Sequence, residues 1–266
     1  MLDRQRYGFD VQGYVVLPRV LDAKQVARLR DLLEERAGDP GLAEHFPPRA
    51  DGSVETVDFL GWDSELADLI DHPAVVPVLA ELLGAGYRLD HYYGMRQPTG
   101  TGMLALHGGG QGMDETFYSC KNGQIRTGLT VVSFALSDTP ADGGGFACIP
   151  GSHKANFTLP EFNDAFFAGE LIQFEEAPDL IRNVPVRAGD VLVFTEALAH
   201  AATPWQGADP RWALLFKYCP AWATWARHKP ADSELLAQLT PAQRLLFEPP
   251  YVDAPRTAVQ SGVPAS

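Results

Sequence analysis

The chain has 266 residues, of which 45% are hydrophobic, and a formal net charge of −13. All-β domains often reach this length around one core, so we expect a single domain over residues 1–266. The acidic balance argues against binding of polymeric nucleic acid, which requires a basic face. No apolar run is long enough to span a bilayer, and the first ten residues lack the apolar core of a signal peptide. We therefore expect a cytoplasmic protein that does not bind membranes.

The N-terminal part of the sequence predicts a short strand and then a helix. Residues 9–18 are rich in β-forming side chains, and Pro18 is expected to end that strand. Asp22 then caps a predicted helix over residues 23–37, in which apolar residues recur on one face. A short strand and an amphipathic helix are thus expected at the start of the domain.

The next segment predicts a loop followed by further helix. Residues 38–60 are rich in Gly, Pro and Asp, which is typical of a loop. Residues 64–83 predict one or two helices, with Pro73 beginning the second and Gly84 ending it. These helices are expected to flank the core that follows.

From residue 86 onward the sequence changes to short β-like runs that Gly and Pro separate. The runs are residues 86–97, 102–107, 125–138, 145–149, 184–186, 190–195 and 212–218. Many short strands after a helical start predict a mainly β, double-stranded β-helix (jelly-roll or cupin-like) core with flanking N-terminal and peripheral helices. The C-terminal extension, residues 230–266, contains one helical stretch at about 231–246.

Two histidines and an arginine stand at the edges of these runs. His107 and His200 each follow an apolar run, and Arg211 begins the run after His200. Two strand-end histidines can converge on a metal inside a barrel, and imidazole suits iron while open positions remain for substrate and dioxygen. An inward-pointing arginine on the next strand can hold a carboxylate through two parallel hydrogen bonds.

Three longer segments resemble the phytanoyl-CoA dioxygenase family. FDVQGYVVLPRVLDAKQVARLRDLL resembles its N-terminal segment, DTPADGGGFACIPGSHK its central hairpin, and AGDVLVFTEALAHAATPW its distal-histidine segment. The resemblance covers roughly residues 8–220. It implies a double-stranded β-helix with iron(II) and 2-oxoglutarate as cofactors and dioxygen as co-reactant.

The same resemblance assigns roles to individual residues. It makes His107 and His200 the iron ligands and Arg211 the residue that holds the far carboxylate of 2-oxoglutarate. Thr203 and Thr195 are candidates to assist Arg211 in binding the cosubstrate. The implied partner is a small-molecule substrate.

The first metal-binding motif departs from the family pattern. That family carries His-x-Asp, whereas this chain has His107-Gly108-Gly109. A glycine in the third position resembles the iron halogenases of the broader superfamily. Losing the carboxylate leaves one coordination position of the iron empty and removes one negative charge. A chloride ion can fill that position and supply the charge. Gly109 thus predicts a halogenase that chlorinates an unactivated carbon, with C2′ of a deoxyadenosine monophosphate-type nucleotide in antibiotic biosynthesis as its implied target.

Other interpretations of Gly109 stay open. HGGGQG can be a tight, flexible loop that brings Asp114 or Glu115 to the metal, or two histidines alone can serve a hydroxylase. The alternative function is then an iron(II)/2-oxoglutarate-dependent hydroxylase (dioxygenase) of a small metabolite. A third alternative is a non-catalytic jelly-roll binding protein with a degenerate metal site.

Four further side chains are candidates for substrate binding. Tyr93 and Tyr118 flank the His107 loop and could stack on a flat substrate. Arg96 and Lys121 could attract an anionic group. His153, within the central hairpin, is expected to have a structural role rather than to bind metal.

Overall fold

The computed structural model describes residues 1–50, 52–84, 86–101, 104–108, 116–156 and 179–251. The strands are β1 (Tyr14–Leu17), β2 (Val54–Thr56), β3 (Arg88–Gln97), β4 (Leu104–His107), β5 (Tyr118–Lys121), β6 (Gln124–Thr127), β7 (Thr130–Ala135), β8 (Gly145–Cys148), β9 (Arg182–Asn183), β10 (Val191–Thr195), β11 (His200–Thr203) and β12 (Arg211–Cys219). The α-helices are α1 (Asp3–Gln12), α2 (Ala23–Ala37), α3 (Ser64–Ala67), α4 (Val76–Leu83), α5 (Ser233–Gln238) and α6 (Pro241–Leu245). None of these helices is long and apolar enough to cross a membrane.

Two antiparallel sheets build the double-stranded β-helix that the sequence predicts. The larger sheet has the strand order β1-β10-β7-β12-β3-β2, and the smaller has the order β4-β11-β8-β9. The sheets face each other, because Phe146 of β8 packs on Phe194 of β10 with ring centroids 4.5 Å apart. Strands β5 and β6 form a separate hairpin.

Apolar side chains fill both sides of the larger sheet. Its outer face packs on α2 and α4, with Leu33 and Leu79 in one cluster with Phe134. Its inner face meets the smaller sheet through a second cluster that contains Phe194 and Cys148. The helices therefore cover one face of the larger sheet, and the space between the two sheets holds the candidate site.

The first predicted strand is partly wrong. Residues 9–12 are the last turn of α1, where Phe9 is fully buried. Gly13 adopts a φ of 84° and ends the helix, which is a conformation that glycine takes without strain. The strand β1 begins only at Tyr14. Phe9 is buried as part of a helix, but it stands close to a true strand in the sequence. The two together therefore resembled one β-forming segment.

Helix α2 confirms the prediction over residues 23–37. The side chain of Asp22 accepts a hydrogen bond from the Gln25 backbone, and the Gln25 side chain accepts one from the Asp22 backbone. This reciprocal cap satisfies two N–H groups at the helix start. Val26, Leu29 and Leu33 are buried on one face, as the periodicity indicated.

The predicted loop at 38–60 contains regular structure. It holds 3₁₀ helices at Pro40–His45 and Leu60–Trp62 and the edge strand β2, which pairs with β3. The second helix of the next segment begins at Val76, with Pro77 in its first turn, so the start predicted at Pro73 is wrong. Gly84 ends α4 as predicted.

Within the β region, several strands differ from the prediction. The run 125–138 forms two strands, β6 and β7, and the run 184–186 contributes only an isolated bridge from Val186 to Thr139. Strands β5, β9 and β11 were not predicted. The C-terminal helical stretch is two short helices rather than one, since Thr240 caps α6 with Pro241 in its first turn. Residues 252–266 lie outside the described part of the chain, and the single-domain assignment stays a prediction.

Candidate metal centre

His107 and His200 meet in the smaller sheet. His107 is the last residue of β4, His200 is the first of β11, and the antiparallel register places them directly opposite each other. Opposed residues in such a pair point to the same side of a sheet, and the two ring centroids are 4.1 Å apart. The structure therefore brings together the two histidines that the sequence singled out.

The surroundings of His200 prepare its ring to bind a metal. Its Nδ1 lies 2.8 Å from the carbonyl oxygen of Leu198, so Nδ1 donates a hydrogen bond and Nε2 presents a lone pair. Burial lowers the pKa of His200, and the neighbouring His107 lowers it further. Phe194 packs against the ring at 4.8 Å. The imidazole is thus neutral, oriented and shielded from water.

A buried carboxylate completes the cluster. Glu196 follows β10 directly, and the potential ligand atoms of His107, Glu196 and His200 all lie within 4.8 Å of one another. Its Oε2 is 3.8 Å from Nε2 of His200, four residues later. Two imidazoles and one carboxylate are the ligand set typical of non-haem iron(II) sites in oxygenases. These residues therefore fit a divalent iron.

Sequence reasoning missed Glu196. The sequence offered a carboxylate only at Asp114 or Glu115, in the loop after His107, because the position two residues after His107 is a glycine. The available signal was the Glu-x-x-x-His spacing of Glu196 and His200, which becomes meaningful only when a turn separates the two residues. Gly109, Asp114 and Glu115 lie outside the described residues, so their predicted roles are untested.

Lys217 of β12 binds the other oxygen of this carboxylate. Its Nζ is 2.7 Å from Oε1 of Glu196, and the two side chains are only 12% and 8% exposed. Burial alone would raise the pKa of Glu196, but the positive charge of Lys217 beside it helps to hold that pKa below its usual range. The carboxylate is therefore charged in the folded protein.

Gly108 brings the turn after β10 against His107. Its φ is 73°, and a Cβ there would lie 2.5 Å from the carbonyl oxygen of Leu198 and 2.6 Å from that of Glu196. Any other residue would collide with this backbone and would also be strained. The first glycine of the HGG motif is explained by this close approach.

Arg211 begins β12 and pairs with Gln97 of β3. Its guanidinium donates to the Gln97 side chain and, at 3.4 Å, to Oγ1 of Thr139. Burial lowers the pKa of Arg211 to about 10, which leaves it cationic at neutral pH. A Cβ on Gly145 would lie 3.0 Å from Nε of Arg211, so this glycine makes room for the guanidinium.

The distance from Arg211 to the histidines follows from strand register. Gly145 of β8 pairs with Thr203 of β11, and His200 lies three residues before Thr203 on that strand. Three strand residues span roughly 10 Å. A short dicarboxylate held at one end by Arg211 can therefore extend toward the metal cluster, which fits 2-oxoglutarate.

The two predicted threonines lie in different places. Thr203 donates to the carbonyl oxygen of Gly145 at 3.2 Å, close to Arg211. Thr195 pairs with Thr130 at the far end of the larger sheet, and its hydroxyl accepts a hydrogen bond from the Ala197 backbone. The geometry thus supports only Thr203 as a neighbour of Arg211, and both cosubstrate roles stay predictions.

Among the predicted substrate residues, Tyr93 lies beside the cluster. Its ring centroid is 5.6 Å from Nζ of Lys217, which itself binds Glu196. Arg96 instead pairs with Glu34 of α2 at 3.3 Å. The structure therefore joins Tyr93 to the candidate site and gives Arg96 a partner on the helical side.

Tyr118 and Lys121 belong to the β5–β6 hairpin. The Tyr118 hydroxyl donates to Asp10, and its ring packs edge-on against His153 at 4.5 Å. Lys121 is exposed at the hairpin turn. The buried His153 has Nε2 3.1 Å from the carbonyl oxygen of Asp10, in keeping with the structural role expected for it. A substrate role for Tyr118 or Lys121 stays a prediction.

Solved structures of similar proteins share this architecture, and some of them contain a metal ion and 2-oxoglutarate. HygX from Streptomyces hygroscopicus, with nickel and 2-oxoglutarate bound, is 27% identical with a TM-score of 0.73, covering 88% of this chain and 94% of that one. HygX with nickel, 2-oxoglutarate and hygromycin B is 26% identical with a TM-score of 0.69, covering 84% and 89%. EctD from S. alaskensis, at 21% identity and a TM-score of 0.63 over 83% and 77%, shares the fold.

The family comparison covers most of the chain. No curated protein sequence matches it significantly. The model of the family described as phytanoyl-CoA dioxygenase (PhyH) matches residues 9–213, a span that includes the three clustered residues and Arg211. The chain therefore belongs to the phytanoyl-CoA dioxygenase family of iron(II)- and 2-oxoglutarate-dependent oxidoreductases.

Proposed function

We propose that this protein hydroxylates a small organic molecule, with iron(II) bound at His107 and His200 and 2-oxoglutarate held by Arg211. The observation that carries the proposal is the opposition of the two histidines across β4 and β11, with a buried carboxylate, Glu196, beside them. A site with two imidazoles and one carboxylate has the composition that hydroxylating iron oxygenases use.

The chain's own residues are positioned to bind and orient the two cofactors. His200 offers a neutral ring whose orientation is fixed by Leu198, and Arg211 offers a buried cation positioned by Gln97. When bound, iron(II) and 2-oxoglutarate supply the oxidising power for the reaction. One oxygen atom of dioxygen enters the substrate's C–H bond, and the other enters succinate as 2-oxoglutarate loses carbon dioxide.

The substrate class is supported by a relative and by one residue. HygX has a solved structure with hygromycin B bound beside nickel and 2-oxoglutarate, which supports a small-molecule substrate here as well. Tyr93 lies next to the Lys217–Glu196 pair, and it stays a candidate for stacking on a flat substrate. The net charge of −13 disfavours a polymeric nucleic acid as substrate.

Halogenation is the second candidate, and Gly109 is the observation that favours it. A glycine in place of the family's aspartate leaves room for chloride if no other carboxylate reaches the iron. In that case a nucleotide of the deoxyadenosine monophosphate type is the first substrate to test. The buried Glu196 competes with this interpretation, because it already brings a negative charge and an oxygen ligand to the cluster. Hydroxylation is therefore the better-supported reaction.

Product analysis with and without halide separates the candidates. The protein is reconstituted anaerobically with iron(II) and 2-oxoglutarate, and a set of small metabolites is screened by mass spectrometry after air is admitted. Hydroxylation predicts succinate release and a product that gains one oxygen atom, unchanged by omission of chloride. A chlorinated product that requires chloride would establish the halogenase instead. Failure to bind iron at all would favour the non-catalytic binding protein.

A further inference from the structure

We infer that Glu196 is the third iron ligand of this protein and replaces the aspartate that the family carries two residues after its first histidine. The inference rests on the proposed function only in placing the metal at His107 and His200. It assigns the missing carboxylate to a residue outside the HGG loop.

The first step is the position of Glu196 on the larger sheet. Its backbone N–H donates to the carbonyl oxygen of Leu129 at 2.9 Å, and the N–H of Leu198 closes a turn onto Thr195 at 3.0 Å. The chain then crosses to the smaller sheet, where β11 begins at His200. Both histidines thus come from one wall of the barrel and the carboxylate from the edge of the other wall, so the three converge on the space between the walls.

The second step is the chemistry of the facing atoms. Oε2 of Glu196 lies 3.8 Å from Nε2 of His200, which is too long for a hydrogen bond. Because Nδ1 of His200 donates to Leu198, Nε2 and Oε2 face each other as two lone-pair donors. Ligands that each lie about 2.1 Å from a divalent metal are separated by at most about 4.2 Å. The observed separation therefore suits a cation shared between the two atoms.

The third step is the charge balance of a buried carboxylate. Burying an unpaired carboxylate is strongly unfavourable, and the Glu196 side chain is only 8% exposed. Lys217 compensates that charge through Oε1 at 2.7 Å. With Oε1 held by the ammonium, the other oxygen is directed to the histidines. The pair therefore presents Glu196 as a ligand through one oxygen atom.

The fourth step is the packing at Gly108. The carbonyl oxygens of Glu196 and Leu198 occupy the space of a Cβ at this position, at 2.6 and 2.5 Å. A side chain at 108 would push the turn, and Glu196 with it, away from His107. Taking the carboxylate from this turn thus requires a glycine next to the first histidine. Gly108 and Glu196 are two parts of one arrangement.

Metal binding without turnover tests the inference. Purified full-length variants are titrated anaerobically with Mn(II), and free metal is measured by electron paramagnetic resonance. We expect Glu196→Gln to weaken Mn(II) binding by about ten- to a hundred-fold, the loss that corresponds to a removed charged contact of about 1.5–3 kcal/mol. Glu81→Gln, which removes a carboxylate paired with Arg6, is the matched control and should bind Mn(II) as the wild type does.

The design also separates failure of this inference from failure of the proposed function. Wild-type affinity in Glu196→Gln together with lost binding in His200→Ala would overturn the role of Glu196 and leave the metal site in place. Wild-type affinity in both variants would overturn the site itself. If Glu196→Gln fails to fold because Lys217 is left unpaired, Glu196→Gln combined with Lys217→Met removes both charges. That double variant should show the same loss, and wild-type affinity in it would also overturn the inference.

Discussion

Oε2 of Glu196 faces Nε2 of His200 at 3.8 Å, across the turn that carries the chain from the larger sheet to the smaller one. In a continuous strand, residues four apart are roughly 13 Å apart, too far to share a metal. The turn at residues 195–198 therefore creates the ligand pair. It also allows the chain to lack the aspartate that its family carries after the first histidine.

Arg211→Lys should impair binding of the cosubstrate. Lysine keeps the charge but cannot form two parallel hydrogen bonds to a carboxylate, and Arg211 is buried against Gln97 and Thr139. We expect the KM for 2-oxoglutarate to rise about ten- to a hundred-fold, with Mn(II) affinity nearly unchanged. Arg96→Lys, on the neighbouring strand but paired with Glu34, is the control. An unchanged KM in Arg211→Lys would move the anchor to another residue.

Gly108→Ala should destabilise the protein more than an equally strained glycine replacement elsewhere. Gly123→Ala is the control, because its φ is 76° and nothing lies within 4 Å of its added Cβ. The left-handed conformation costs an alanine about 1–2 kcal/mol at either site, and the collision with the carbonyl oxygens at 108 adds about 1–3 kcal/mol. Urea unfolding of the apo proteins measures both. Equal destabilisation of the two variants would show that the turn does not pack on Gly108 as described.

Much of the fold follows from local sequence, and the errors share one cause. Asp22 and the periodic apolar residues after it predict α2 because the cap and the buried face are local features. Glu196 was missed because it lies just beyond the predicted strand 190–195, and nothing local shows that a turn brings its side chain next to His200. Phe9 was assigned to a strand because the sequence alone does not show that it packs as part of a helix. Tertiary packing decides these cases.

Gly109→Asp should distinguish the two interpretations of the HGG motif. If chloride binds where the family has its aspartate, the new carboxylate should abolish a chlorinated product. If Glu196 is the ligand, Gly109→Asp should change metal affinity little on its own and should restore Mn(II) binding in the Glu196→Gln background.

Chloride-dependent chlorination by the wild type, lost in Gly109→Asp, would establish the halogenase. Loss of activity in Asp114→Ala with Glu196→Gln unaffected would assign the ligand to the loop.

Asp90 should contribute to stability in a pH-dependent way. Burial alone would raise its pKa, but hydrogen bonds from the His91 side chain and from the backbones of Ala226 and Trp225 hold the pKa well below its usual range. Its carboxylate also pairs with the buried Arg88 at 3.0 Å. A depressed folded-state pKa gives stability that is present above the unfolded pKa of about 4 and is lost as pH falls below it.

Replacing this carboxylate tests that account. Asp90→Asn should lower the free energy of unfolding at pH 7 by about 3 kcal/mol, because Arg88 loses its buried partner. The difference from the wild type should shrink as pH is lowered from 5 to about 3. Chemical unfolding at several pH values measures it, with Asp3→Asn at an exposed position as the control. A difference that stays constant over this pH range would contradict the assignment.

The anaerobic absorption spectrum of the protein with iron(II) and 2-oxoglutarate shows whether both cofactors bind at His107 and His200, and it needs no knowledge of the substrate. Chelation of iron(II) by 2-oxoglutarate in such a site produces a visible charge-transfer band. The wild type should develop this band with one iron and one 2-oxoglutarate per chain. His107→Ala and His200→Ala should fold normally and lose it. Absence of the band in the wild type at saturating iron and 2-oxoglutarate, or its full retention in both histidine variants, would contradict the account.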